Sequence, residues 1–262
     1  MPGIKVLLIS ICTLAFSFQI FSQSETLEND KNVKKRAQTT NNAVLISPYY
    51  SALMPIGELS SRFGFSNTVG MNISFKVKKN WLIGVEGAYL FGSRVKEDPL
   101  IPISTYTSNQ IIGLDGTLGD ISLLLSGFEV AFRVGKLIPL SKKQPNSGIL
   151  ISVAPGFMQH KIWIKATNNF PQLDASYKQG YDRMCNGAMV SGNIGYMFLQ
   201  RKRFLSFYGG LDFAVGFTQE RRNWNFDLMS ADKHQRIDML IGVKVAWIIP
   251  VWTNKDSEVY YY

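Results

Sequence analysis

The sequence predicts an all-β fold: an antiparallel up-and-down transmembrane β-barrel of eight strands. Three observations carry this. Long segments alternate apolar and polar side chains, the period of an extended strand with two unlike faces. The connections between them alternate between short and long, as in barrels with tight turns at one rim and loops at the other. Beyond the N-terminal region no stretch approaches about eighteen consecutive apolar residues, so helical spans are not expected.

Taken in order, Lys5 precedes an uncharged stretch over residues 6–18, and Ser22 follows as a small residue at a cleavage point. A positive start, a short apolar core and a small residue make a secretory signal peptide, too short for a bilayer core of about 30 Å. The expected segments are a signal peptide at 1–22, a flexible polar periplasmic tail at 23–43, and an outer-membrane β-barrel with a short C-terminal tail at 44–262. Bulky Ile11 precedes Cys12 where a lipoprotein signal wants Gly or Ala, so lipidation is not expected. Loss of Cys12 with the signal leaves Cys185 alone, without an intrachain disulfide or a cysteine-based zinc site. In the tail, Lys34, Lys35 and Arg36 cluster without apolar periodicity and read as solvated chain.

The strands follow. Segment 44–54 is less regular. In 67–77, Val69, Met71, Ile73, Phe75 and Val77 share one face, and Thr68, Gly70, Asn72, Ser74 and Lys76 the other. In 81–92, Trp81, Ile83, Val85, Tyr89 and Phe91 oppose Gly84, Glu86 and Ala88. In 126–136, Phe128, Val130, Phe132 and Val134 oppose Glu129, Ala131, Arg133 and Gly135. Segment 148–164 contains Pro155, which predicts a bulge or bend. In 188–198, Val190, Ile194, Tyr196 and Phe198 oppose Ser191, Asn193 and Gly195. In 204–218, Leu205, Phe207, Leu211, Phe213, Val215 and Phe217 oppose Ser206, Tyr208, Asp212 and Thr218. In 236–249, Ile237, Met239, Ile241, Val243, Val245 and Trp247 oppose Asp238, Gly242, Lys244 and Ala246.

Most of these reach the nine to eleven residues or so that a tilted strand needs to cross a bilayer. Short connections fall at 78–80, 138–147 and 200–203, and long ones at 55–66, 93–125, 165–187 and 219–235. This places both termini in the periplasm and the long loops outside. Segment 93–125 can cap the barrel, lengthen its strands, or add a hairpin that raises the strand count to ten. Trp81, Phe198, Trp247 and Trp252 at one end, and Phe91, Trp163 and Phe217 at the other, suit two aromatic belts. The alternative is a soluble sandwich or lipocalin-like barrel with its polar face outward.

The signal peptide, the strand alternation and the aromatic end Val259, Tyr260, Tyr261 and Tyr262 together resemble the small outer-membrane β-barrels of the OmpA-like or OmpX-like kind. With Gln23 as mature N-terminus, the style resembles the porin-family barrels of Bacteroidota. The resemblance implies residence in a Gram-negative cell envelope. It also implies that assembly machinery reads an aromatic C-terminal residue; Tyr262 lies about a dozen residues past the last expected strand.

Three groups of residues bear on function. Lys76, Glu86, Glu129, Arg133, Asp212, Asp238 and Lys244 fall on the inward face. An eight-stranded barrel is just filled by its side chains, so these charges are expected to pair as a lumen network rather than line an open channel. His160 and His234 are expected near the extracellular rim, His234 close to Ser230 and Asp232. That set is the candidate for a rim hydrolase, although its spacing matches no triad motif. Arg221, Arg222, Trp224 and Phe226 form a basic and aromatic loop beside Asp227, expected either to pack on itself or to grip lipopolysaccharide phosphate or a protein partner, since guanidinium matches phosphate bidentately.

No metal site is expected from two histidines. No phosphate loop, dinucleotide fingerprint, HExxH or GxSxG is present. No cofactor is expected. A formal charge of +9 suits anionic partners or a basic surface with no specific partner, and export argues against nucleic acid. The expected partners are membrane lipid, lipopolysaccharide and an envelope protein. The expected function is a non-enzymatic structural, adhesion or accessory barrel acting through its loops, with a rim hydrolase and a narrow ion channel as alternatives.

Overall fold

A computed structural model describes residues 42–252, except 78, 104–109, 113–115, 117, 142–143, 167–169, 171–172, 174 and 201–204. The signal peptide, the tail through residue 41, most of the QRKR turn and the aromatic C-terminus lie outside the described residues. The strands are β1 (Ala43–Gly57), β2 (Ser66–Lys76), β3 (Trp81–Gly92), β4 (Gln110–Ile112), β5 (Leu118–Pro139), β6 (Gly148–Ala166), β7 (Cys185–Phe198), β8 (Ser206–Glu220) and β9 (Gln235–Trp252). Two short helices, α1 (Glu58–Arg62) and α2 (Ala175–Lys178), sit in loops.

Eight of the strands close into an antiparallel up-and-down ring. Each pairs with its chain neighbours, β3 pairs directly with β5, and β9 returns to β1. The closing seam runs from Ala43 opposite Trp252 to Gly57 opposite Asp238. β4 pairs only with Leu118, Gly119 and Asp120 at the outer end of β5. Among the described residues, segment 93–125 therefore adds no strand to the ring, and its last residues lengthen β5 instead. The bulge expected at Pro155 is absent. The β5–β6 ladder lapses opposite Ala154 and Pro155 and resumes in unchanged register at Val134 and Val153. A proline removes one donor without inserting a residue, so a bend is not required.

The faces sort as the alternation predicts. Val69, Ile73, Val85, Phe132, Phe213 and Val243 are exposed on the outside, with Val243 54% accessible. Lys76, Glu86, Arg133, Asp212 and Lys244 are buried inside, Lys76 completely. A soluble barrel would show the reverse, and soluble monomers rarely expose apolar patches beyond a few hundred Å². Here the apolar surface belongs to every strand of the ring, which makes hydrocarbon its natural solvent. Trp81 and Trp247 mark the outer surface toward the short turns, and Trp163 and Phe217 toward the loops.

The interior is layered. Ala43, Leu45, Leu82, Leu137, Leu150 and Ile248 close it toward the short turns. Leu53, Leu59, Phe63, Leu90, Leu125 and Met158 fill it toward the loops. Between them lies a charged belt. Arg133 Nη2 stands 2.6 Å from Glu86, and Lys244 Nζ 3.3 Å from Glu86 and 3.2 Å from Asp212. Ser51 donates to Asp212 at 2.9 Å, Asn193 to Asp212 at 2.7 Å, and Arg133 to Ser152 at 2.7 Å. The cation of Lys244 also sits 4.1 Å from the Tyr49 ring centre. Seven of the eight ring strands contribute to this belt. The cavity beside it measures about 50 Å³, room for a few waters.

Removing one partner of a buried ion pair strands the other charge, at about 3–5 kcal/mol. Glu86→Ala, which leaves Arg133 and Lys244 without their shared carboxylate, is expected to lower unfolding stability in detergent by that amount. Urea titration of the folded barrel measures it, and a loss below about 1 kcal/mol is the result that would show the belt to be energetically idle.

Candidate functional site

The four connections at the loop end are built into one surface by charged side chains. α1 follows Gly57, whose φ of 66° is a turn conformation favouring glycine. The helix turns inward, so that Leu59 and Phe63 are buried in the mouth of the barrel. Arg62 then reaches across it: Nε donates to Glu97 at 2.8 Å, Nη1 to Cys185 Sγ at 3.3 Å, and Nη2 to the Arg183 carbonyl at 3.3 Å. Glu97 also accepts from Arg183, and Arg183 donates in turn to Asp227. One chain, Arg62–Glu97–Arg183–Asp227, thus joins all four loops. Arg183 is its hub and has a left-handed backbone, φ 43°, uncommon for a residue with a side chain.

A second clamp joins the third and fourth loops. Arg222 donates to Asp182 from Nε at 2.7 Å and from Nη2 at 2.5 Å. That paired hydrogen bonding raises the Arg222 pKa above its ordinary value despite partial burial. Phe226 packs edge-on to Tyr181, centroids 5.4 Å apart, and its N–H donates to the Gly180 carbonyl. Of the four candidate loop residues, Arg222 and Phe226 are therefore engaged within the loops. Trp224 is 50% exposed. Arg221 donates to Asn186 at 2.6 Å and lines an open cleft of about 430 Å³ with Phe217 and Ile237.

The fourth loop also carries an exposed apolar tip. An Asn225–Ser230 bridge closes the turn, and Met229 sits in it at φ 48°, 72% exposed. Leu228 and, on α2, Tyr177 are exposed too.

The two histidines lie in different environments. His160, on β6, is wholly buried in the lumen, with Nε2 2.8 Å from Asp238; Thr218 donates to the same Asp238 oxygen. His234 is exposed on the fourth loop, 3.8 Å from Glu58. Asp232 accepts from the His234 backbone N–H and pairs with Arg236. Ser230 joins its backbone to Asn225. These contacts do not assemble His234, Ser230 and Asp232 as nucleophile, base and orienting acid.

Among the lumen candidates, Glu86, Arg133, Asp212 and Lys244 come together. Asp238 goes to His160, and Lys76 donates to Asn146 at 3.0 Å near the short turns. Glu129 is partly buried, and its Oε1 makes no hydrogen bond among the described residues. No group of three or more metal-ligating side chains forms among those residues.

Burial alone would raise the Asp232 carboxyl; the His234 N–H and the Arg236 guanidinium outweigh it and hold the group below its ordinary value. A depressed carboxylate stabilises the fold above its unfolded pKa and loses that contribution as pH falls through the folded one.

No family model matches the chain, and no curated protein matches it. Solved structures that align with the chain include two of Ail and one of an outer membrane protein. Ail, the attachment invasion locus protein of Yersinia pestis, in complex with the heparin analogue sucrose octasulfate, aligns with 80% of this chain and 100% of its own at 7% identity and a TM-score of 0.40. A second Ail structure gives 5% identity and 0.37 over the same shares. The outer membrane protein OprG from Pseudomonas aeruginosa covers 80% of this chain and 97% of its own at 6% identity and 0.33.

Arg183→Ala leaves Asp227 without its partner, while Glu97 keeps Arg62, at about 1–3 kcal/mol for the one buried polar group left unsatisfied. Loop cleavage by an added protease is expected to rise roughly 5- to 100-fold, following the population of opened loops, while the barrel's melting temperature stays within a few degrees. Equal protection of both proteins would remove the chain's role. The Asp232–Arg236 tie of the fourth loop should persist down to about pH 4, the ordinary carboxylate range, and weaken only below it; hydrogen exchange of residues 231–236 against pH follows this.

Proposed function

We propose that the protein is a non-enzymatic outer-membrane barrel that binds an envelope or external protein through its loops, as an adhesion or accessory subunit. The observation that carries this reading is the loop surface itself. The Arg62–Glu97–Arg183–Asp227 chain holds four loops in fixed relation, while Tyr177, Trp224, Leu228 and Met229 remain exposed on them. Ordering costs incurred in the free protein are not incurred again on binding. Exposed aromatic and Met side chains are enriched in the energetic centres of interfaces.

In the same reading, the signal at 1–22 exports the chain, the short turns face the periplasm, and the loops face outward. The Gln23 start suits a Bacteroidota-type barrel. Arg221 and its cleft, beside the lipid-facing Phe217 and Ile237, suit a lipopolysaccharide phosphate and its acyl chain. The charged belt lies between two apolar layers, which favours the loops over a narrow channel.

A photo-reactive amino acid placed at Leu228 tests the reading in intact cells. A discrete protein adduct is expected from Leu228 and none from lipid-facing Val243. Trp224→Ala with Met229→Ala is expected to weaken co-purification of that partner by about 30-fold or more, the effect of removing an interface hot spot. A lone monomer with no adduct at Leu228 would defeat it.

A further inference from the structure

Charge is segregated along the barrel. The connections at the short-turn end, 77–80, 140–147 and 199–205, carry Lys78, Lys79, Lys142, Lys143, Arg201, Lys202 and Arg203, and no acid. The connections at the loop end, 58–65, 93–117, 167–184 and 221–234, carry eight cations and eight acids. The net positive charge of the connecting chain thus falls at one rim. Of the seven cations, only Lys79 is among the described residues; the other six enter by charge and chain position alone.

The described residues at this rim form a recess suited to an amphiphile. Asn42, Val77, Lys79, Trp81 and Ile83 line an open cleft of about 470 Å³. Trp81 and Ile83 are on the lipid-facing surface, each 44% exposed. Lys136, across the ladder from Trp81, places its ammonium 4.7 Å from that ring's centre and donates to the Lys79 carbonyl at 2.7 Å. The Asn42 side-chain carbonyl is buried and makes no hydrogen bond among the described residues.

We infer that this cleft binds an anionic phospholipid of the adjoining leaflet. Lys79 and Lys136 take the phosphate, and an acyl chain lies along Trp81 and Ile83. The apolar wall selects a lipid over free phosphate, since a bare anion gains nothing from it. The aromatic and cationic pairing puts the site at headgroup depth, where tryptophan sits between hydrocarbon and water. Each cation near an anionic surface contributes roughly a factor of five in affinity.

The test is native mass spectrometry of the full chain in mild detergent, titrated with phosphatidylglycerol or phosphatidylcholine of identical acyl chains. Wild type is expected to retain phosphatidylglycerol preferentially. Lys79→Gln with Lys136→Gln should weaken that binding about 30-fold, and Lys79→Arg with Lys136→Arg should preserve it. Lys178→Gln with Lys233→Gln, at the opposite rim, should change nothing. Heat-modifiable gel migration identifies folded protein for each variant. The inference is overturned by equal retention of the two lipids, by a preference indifferent to the Lys79 and Lys136 changes, by an equal loss in the opposite-rim control, or by complete displacement with inorganic phosphate. Capture of an acidic protein that needs both lysines while neither lipid does would overturn it as well.

Discussion

The pairing of β9 with β1 is the constraint on which the other features depend. A strand edge in hydrocarbon leaves a row of backbone donors and acceptors with no water to satisfy them. Closing the ring from Ala43–Trp252 to Gly57–Asp238 removes that edge. It also forces every ring strand to divide its side chains between lipid and lumen, because successive residues point to opposite faces. The lipid side can then be apolar all round. The lumen side of so narrow a ring must be filled, and any charge there must find a partner inside. Glu86 meets this by serving two cations from β5 and β9 at once. The belt thereby ties together strands that do not neighbour each other in the sheet.

This explains how much the sequence discloses. Period-two alternation depends on neighbours in the chain, so all eight ring strands and their inward charges can be read without a structure. Arg133 and Lys244 are legible as lumen residues because their own strands declare the face. Their partners are less legible, since Lys76 and Asp238 are equally inward and go instead to Asn146 and His160. Axial position decides this, and axial position depends on register. The 93–125 segment shows the same limit. A hairpin is one expectation for it, and among the described residues Gln110–Ile112 of β4 pair antiparallel with the first residues of β5.

The loop surface was least legible of all. Arg222 stands out beside Trp224, yet its carboxylate lies forty positions away in the third loop. Arg62 and Glu97 are separated by 35 residues, and Glu97 and Arg183 by 86. Each loop carries both signs, so composition permits many pairings and selects none. The left-handed backbone at Arg183 and Met229 has no marker either, because neither residue is one that usually adopts it.

The two rims have opposite electrostatic designs, and the difference follows from what each must do. The loop-end connections carry eight cations and eight acids, and among the described residues Arg62, Arg183 and Arg222 pair with Glu97, Asp227 and Asp182. Neutralisation within the surface lets long chain segments hold one shape without a ligand to order them. At the short-turn rim the connections carry seven cations and no acid. Lys136 is instructive here. Its ammonium is held by a backbone carbonyl and an aromatic face, neither of which cancels its charge. A cation left unneutralised at the depth of lipid headgroups is organised toward anions outside the protein, whereas at the loop rim Arg62, Arg183 and Arg222 are paired with acids of neighbouring loops and apolar side chains are exposed beside them.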